Sequence, residues 1–266
     1  MRAAEERYGK FIAIGYQWSF SKVIHALKQD ILEGKLGAPV LLKTLICWPR
    51  NRAYYARGGG WGGRISRDGV MILDSVASNA CAHYVHNMLF LLGKDMESTA
   101  EATAVSGDCL RANDIENFDT CTLRISTDCG AALYFAASHA TDRVRNPEFV
   151  YQFENAEVKF SEEDGSQITA YFKNGEVKIY GDPFADGFCK LWDCVAAIRT
   201  GRKPICTVQT AMPHTLLIDK IYHTISVQKF PSDRILENDQ NGIYVKELFE
   251  GICQAYDRCA LLSESK

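Results

Sequence analysis

The sequence predicts an α+β fold, a large open and mostly antiparallel mixed β-sheet with helices packed on one face. Three observations predict it. Short β-rich segments separated by turn residues fill most of residues 97–180, and segments with helical apolar spacing stand before and after them. No Pro/Gly/Ser-rich linker divides the 266 residues.

Residues 10–15 form a short apolar run ending at Gly15, which fits a strand buried on both faces. Val23, Ile24, Leu27, Ile31 and Leu32 recur at helical spacing over 21–33, with Ser21 as a candidate N-cap and Gly34 as a stop. Residues 39–48 read as a strand, and the Gly/Arg-rich stretch 50–69 as a loop. A long helix is expected over about 75–92, closed by Gly93. Strands follow near 97–105, 117–126, 130–138, 147–154, 156–160, 167–172 and 176–180, the last two joined by the hairpin signal Asn174-Gly175. Helices return at 186–200 (stopped by Gly201), 208–228 and 245–262.

Composition narrows the function. The chain is 47% hydrophobic and 24% charged with a net charge of −3, so it lacks the basic footprint of a nucleic-acid binder. No apolar run approaches the ~20 residues of a membrane-spanning helix. The start, Met1-Arg2-Ala3-Ala4-Glu5-Glu6-Arg7, lacks the apolar core of a signal peptide, and a cytoplasmic location is expected. Ten cysteines include no Cys-x-x-Cys pair and lie mostly in apolar surroundings, which predicts buried thiols and no metal site.

Gly58-Gly59-Gly60-Trp61-Gly62-Gly63 matches G-x-G-x-x-G, but a phosphate-binding turn must join a strand to a helix N-terminus. Here Arg/Tyr-rich residues precede it and Arg64-Ile65-Ser66-Arg67 follows, so a loop over a pocket is expected and no cofactor site. On a continuous helix Asn79, His83, His86 and Phe90 would share one face, and histidine exchanges protons near neutral pH. His83 is thus the candidate acid or base. Candidate substrate-binding residues are Gln17, Trp18, Arg50, Tyr54, Tyr55, Trp61 and His86, since aromatic rings and forked guanidiniums suit a polyhydroxylated ligand.

Two segments carry a family resemblance. Gly15-Tyr16-Gln17-Trp18-Ser19-Phe20 resembles the Gly-aromatic-Asn-x-Arg-Phe entry to the substrate domain of the Gfo/Idh/MocA oxidoreductases. The stretch to Leu92-Gly93 is similar to that family's Asp-x-x-x-His helix. Counted back from Gly93, His83 stands at the catalytic histidine and Asn79 at the aspartate, while Ser19 stands where arginine is usual. Ile198-Arg199-Thr200-Gly201-Arg202-Lys203-Pro204 is similar to the family's closing section.

The resemblance implies that residues 1–15 are the remnant of the last nucleotide-domain helix and strand, and that 16–266 are a substrate-binding and oligomerisation domain. It implies an oxidoreductase acting on a sugar, polyol or related compound. NAD or NADP would serve the intact family protein, and this chain, without the Rossmann domain, is expected to be truncated and inactive alone. His83 would act on the substrate hydroxyl, Asn79 would orient its ring, Asp74 would stand in for the family's carboxylate from one turn away, and a homodimer or tetramer would form through the open sheet face. The alternative is a free-standing carbohydrate-binding or assembly module derived from that family. A cofactor-independent lyase or isomerase using His83 and Asp74 is a weaker third reading.

Overall fold

A computed structural model describes residues 1–238 and 242–264. The chain begins with α1 (Arg2–Tyr8), a 3-10 turn (Gln17–Phe20) and α2 (Lys22–Leu32), then β1 (Pro39–Cys47), α3 (Arg52–Gly60) and a small hairpin, β2 (Ser66–Arg67) and β3 (Val70–Met71). After α4 (Ala82–Leu91) come β4 (Ala102–Arg111), β5 (Thr120–Thr127), β6 (Ala132–Ser138), β7 (Arg145–Phe153), β8 (Ala156–Ser161), β9 (Ile168–Phe172) and β10 (Val177–Gly181). The remainder is α5 (Cys189–Thr200), α6 (Val208–Thr224), β11 (Val227–Lys229), the hairpin β12 (Ile235–Asn238) and β13 (Gly242–Val245), and α7 (Leu248–Arg258).

The main sheet has nine strands in the order β10-β9-β8-β7-β1-β6-β5-β4-β11. Among the described residues only β1 with β6 and β4 with β11 run parallel. The mixed, mostly antiparallel sheet is the one the sequence predicts. One face carries the main core: Leu42 and Ile46 of β1, Leu133 and Phe135 of β6, and Phe149 and Tyr151 of β7 pack with Ile24 and Leu27 of α2, Met88 and Leu89 of α4, and Leu217 of α6. No described helix is long and apolar enough to cross a membrane.

The expectation of helices on one face is corrected by α7. Leu45 and Cys47 of β1 and Tyr134 and Ala136 of β6 point to the opposite face, where Ile252 and Tyr256 of α7 cover them. The central strands are apolar at successive positions, so both faces need a cover. That side of the sheet stays open over β9 and β10, where Tyr171, Val177 and Ile179 are exposed.

Three local expectations also change. Residues 75–81 form turns, and α4 starts only at Ala82. Ser78 Oγ accepts from the Ser75 amide at 2.8 Å and donates to the Leu73 carbonyl at 2.7 Å, local bonds that displace helical ones. Residues 10–15 make no strand; a lone bridge joins Ala13 to Thr207. The predicted loop 50–69 contains the short helix α3, capped by Asn51, whose Oδ1 accepts from the Tyr54 amide at 3.2 Å. That helix breaks at Arg57 (ψ 159°) and at Gly58 and Gly59, whose positive φ values suit glycine. All ten cysteines are free.

Candidate functional site

Tyr16, the residue before the 3-10 turn, is the centre of a histidine cluster. Its ring stacks on His86 at 3.9 Å and meets His83 and His214 edge-on at 5.6 and 5.7 Å. The protons can be placed from the partners. His214 Nε2 lies 3.1 Å from the Ala77 carbonyl, which only accepts, so Nε2 carries the hydrogen. His214 Nδ1 is then an acceptor, and the Tyr16 hydroxyl donates to it across 2.9 Å. Burial pushes the Tyr16 hydroxyl pKa up and that of His214 down to about 4, so both stay neutral at pH 7.

His83 opens the first turn of α4 and is half-buried. Burial lowers its pKa, which leaves a neutral imidazole at pH 7 with one nitrogen able to take a proton. Among the described residues no hydrogen bond engages either ring nitrogen, so the ring can act on a ligand.

The other expected residues separate into groups. Asn79 does not hydrogen-bond the His83 ring; its amide donates to Asp74 Oδ1 at 2.9 Å. Asp74 also accepts from the Gly63 amide, so the buried carboxylate clamps the glycine-rich segment rather than pairing with the imidazole. The cause is the turn at 75–81, which takes Asn79 off the helix that carries His83.

Trp18 is 4% exposed, and its ring lies within 5.0–5.3 Å of Tyr84, Phe160 and Phe184; it is core, with no face for a ligand. His86 is likewise enclosed and held by Ser19 Oγ at 2.9 Å, so it supports Tyr16 and does not line a cleft. Gln17 is exposed on the 3-10 turn, and Arg50, Tyr54, Tyr55 and Trp61 are half-buried around α3. The expected Gly58–Gly63 segment follows a helix and leads to a hairpin, so it lacks the strand-turn-helix setting of a dinucleotide site. Spacing does not single out Tyr16, Ser19 or His214, because 198 residues separate Tyr16 from His214 and 67 separate Ser19 from His86.

Replacing Asp74 by alanine is expected to destabilise the chain by about 1–3 kcal/mol, since it strands two hydrogen-bond donors. Limited proteolysis should then cut within 57–69 faster than elsewhere. Unchanged cleavage there would show that Asp74 does not hold this segment.

No protein-family model and no curated protein matches the chain. Solved structures do. The WlbA dehydrogenase from Bordetella pertussis, in complex with NADH and UDP-GlcNAcA, aligns over 84% of this chain with 19% identity and a TM-score of 0.66. The UDP-N-acetylglucosamine 3-dehydrogenase GnnA from Acidithiobacillus ferrooxidans aligns over 84% with 15% identity and a TM-score of 0.61. A super-repressor mutant of Gal80p from Saccharomyces cerevisiae gives 13% identity and a TM-score of 0.59 over 84%. The chain has their fold. It spans 64% of the length of each of these three proteins. At such identities the likeness establishes architecture, while activity must be argued from the residues.

Proposed function

We propose that the chain is the substrate-binding and oligomerisation portion of an NAD(P)-dependent oxidoreductase acting on a sugar, polyol or related compound. In this reading residues 1–15 end a nucleotide-binding domain and 16–266 form the substrate domain. The observation that carries it is the half-buried, neutral His83, whose ring nitrogens make no hydrogen bond among the described residues and which stands beside the Tyr16–His214 pair, in a fold shared with an NADH-bound dehydrogenase.

His83 would take the proton of a substrate hydroxyl on its unprotonated ring nitrogen as that carbon is oxidised. Tyr16 holds the position of the imidazole through its edge-on contact, and its own proton is committed to His214. A nicotinamide would supply the hydride acceptor. The described residues contain no glycine turn between a strand and a helix at Gly58–Gly63, so no step is assigned to a cofactor held by this chain.

A patch on α5 supports a partner domain. Phe188, Leu191, Trp192 and Ile198 recur at helical spacing and are 52–71% exposed, on a helix that packs against the 3-10 turn bearing Gln17. Apolar side chains exposed in a row mark contact surfaces. The open part of the sheet over β9 and β10 offers a second such surface, for a homodimer or tetramer.

The Arg50–Tyr54–Arg57 stack favours the alternative of a free-standing carbohydrate-binding module, and one experiment separates the two. In enzyme assembled with its nucleotide-binding portion, His83→Ala should lower kcat by about 10²–10⁴-fold with little change in sugar binding. Wild-type turnover should begin to fall on the acid side only below pH 6.5, because burial holds the His83 pKa under the ordinary value and protonation there removes the base. Sugar binding with no turnover in any assembly would leave the module reading; turnover unaffected by His83→Ala would sink the catalytic assignment.

A further inference from the structure

The segment from the residues just after β1 to the residue just after α3 carries a ladder of alternating rings and guanidiniums. The Arg50 guanidinium lies 5.6 Å from the Trp48 ring and 5.0 Å from Tyr54; that of Arg57 lies 3.4 Å from Tyr54 and 5.2 Å from Trp61. Both arginines are half-buried. Among the described residues neither has a carboxylate within ion-pair distance; Arg50 Nη1 donates to the Pro49 carbonyl and Arg57 Nη1 to the Tyr54 carbonyl. Their more exposed neighbours Arg52 and Arg64 are paired, with Glu237 and Glu116. Partly desolvated cations normally have an ion-pair partner, so two without one on the same tyrosine call for an explanation.

Three enclosed polar atoms in the same neighbourhood also lack a partner: Arg50 Nε, the Tyr55 hydroxyl and His139 Nε2. Tyr55 and His139 both lie within electrostatic reach of Arg50, and the Tyr54 and His139 rings are 5.7 Å apart. His139 is 2% exposed, and its Nδ1 donates to the Trp48 carbonyl at 2.7 Å, so Nε2 presents a bare lone pair. Buried polar atoms are nearly always satisfied, and three unsatisfied together mark a place where a partner belongs.

The two nearby carboxylates make no ion pair with either guanidinium, although Asp74 feels the charge of Arg57 at longer range. Asp74 is engaged by Gly63 and Asn79, and Asp119 by Ala112, Asn113 and Thr120. Water would satisfy these hydrogen bonds but would not pair directly with the two guanidiniums.

We propose that Arg50, Arg57, Tyr55 and His139 form an oxyanion subsite, so that the substrate is an anionic sugar or polyol. Its carboxylate or phosphate accepts from the guanidiniums and the tyrosine hydroxyl, and a neighbouring hydroxyl donates to His139 Nε2. This rests on the sugar-oxidoreductase reading and narrows its substrate class.

Calorimetric titration of the chain with D-glucuronate, glucose 6-phosphate and D-glucose tests it. At least one of the two anions should bind about tenfold or more tighter than glucose, the scale of one charge-assisted hydrogen bond. Which anion does so distinguishes carboxylate from phosphate. Arg50→Gln and Arg57→Gln should each erase most of the gap between the preferred anion and glucose. If a variant fails to fold, the wild type still decides: added salt should weaken binding of the preferred anion and not of glucose. Glucose binding as tightly as both anions would overturn the subsite and leave the sugar reading standing. Binding of none of the three would overturn both.

Discussion

Trp18→Ala is expected to destabilise the fold by about 3–5 kcal/mol, the range for deleting a large buried ring and leaving its cavity. Trp18 meets Tyr84, Phe160 and Phe184 at angles of 60–84°, and Phe149 edge-on at 6.3 Å. These rings come from α4, the paired strands β7 and β8, and the segment before α5, so the indole ties the helix and that segment to the sheet where no hydrogen-bond ladder does. Total stability of a domain is only about 5–15 kcal/mol, so the variant should lie close to unfolding. Urea denaturation measures the loss, and Trp18→Phe should recover most of it. A loss under about 1 kcal/mol with abolished sugar binding would instead place Trp18 at the ligand.

Acid should unfold this protein early. Burial lowers the His214 pKa to about 4, and burial with the positive charges of Arg50 and Arg57 lowers that of His139 to about 3. In the unfolded chain both titrate near 6.5. Between about pH 6.5 and 4 the unfolded chain therefore binds protons that the folded chain refuses. The stability these neutral rings contribute is complete above pH 6.5 and falls as pH drops through that window. At pH 5 the loss is roughly 2 kcal/mol for each histidine. His83 and His86 shift in the same direction and add to it. The urea midpoint should drop sharply from pH 7.5 to 5, and less in His139→Asn, which retains a donor near the position of Nδ1. A midpoint constant over that range would show that these rings are already protonated or solvated in the native state.

Much of the architecture was legible because strand periodicity and turn residues are local signals. Asn174-Gly175 does join β9 to β10, and Gly201 closes α5 in the left-handed conformation. The second cover was legible in principle, since Leu41, Leu42, Leu45, Ile46 and Cys47 leave β1 no polar side. The start of α4 was not, because apolar spacing runs on through 75–81 while Ser75 and Ser78 bond to their own turn. His83 could be picked out beforehand; its surroundings could not. Its neighbours Tyr16 and His214 meet through the tertiary fold, and Trp18 and His86 were misplaced because an aromatic beside a polar residue reads the same in a cleft or a core.

The place of β1 has a consequence for how the chain is made. It is the first strand of the main sheet to be synthesised, yet it pairs with β6 on one side and β7 on the other, in register as Leu42 with Leu133 and with Tyr151. Its backbone stays unsatisfied until about ninety more residues have emerged. The meander β4-β5-β6 can zip locally, whereas closing β1 against it carries a large loop entropy, which slows folding and leaves an apolar ribbon waiting. Late docking of that ribbon, ahead of α7 sealing its outer side, makes a populated intermediate the expected route to the native state.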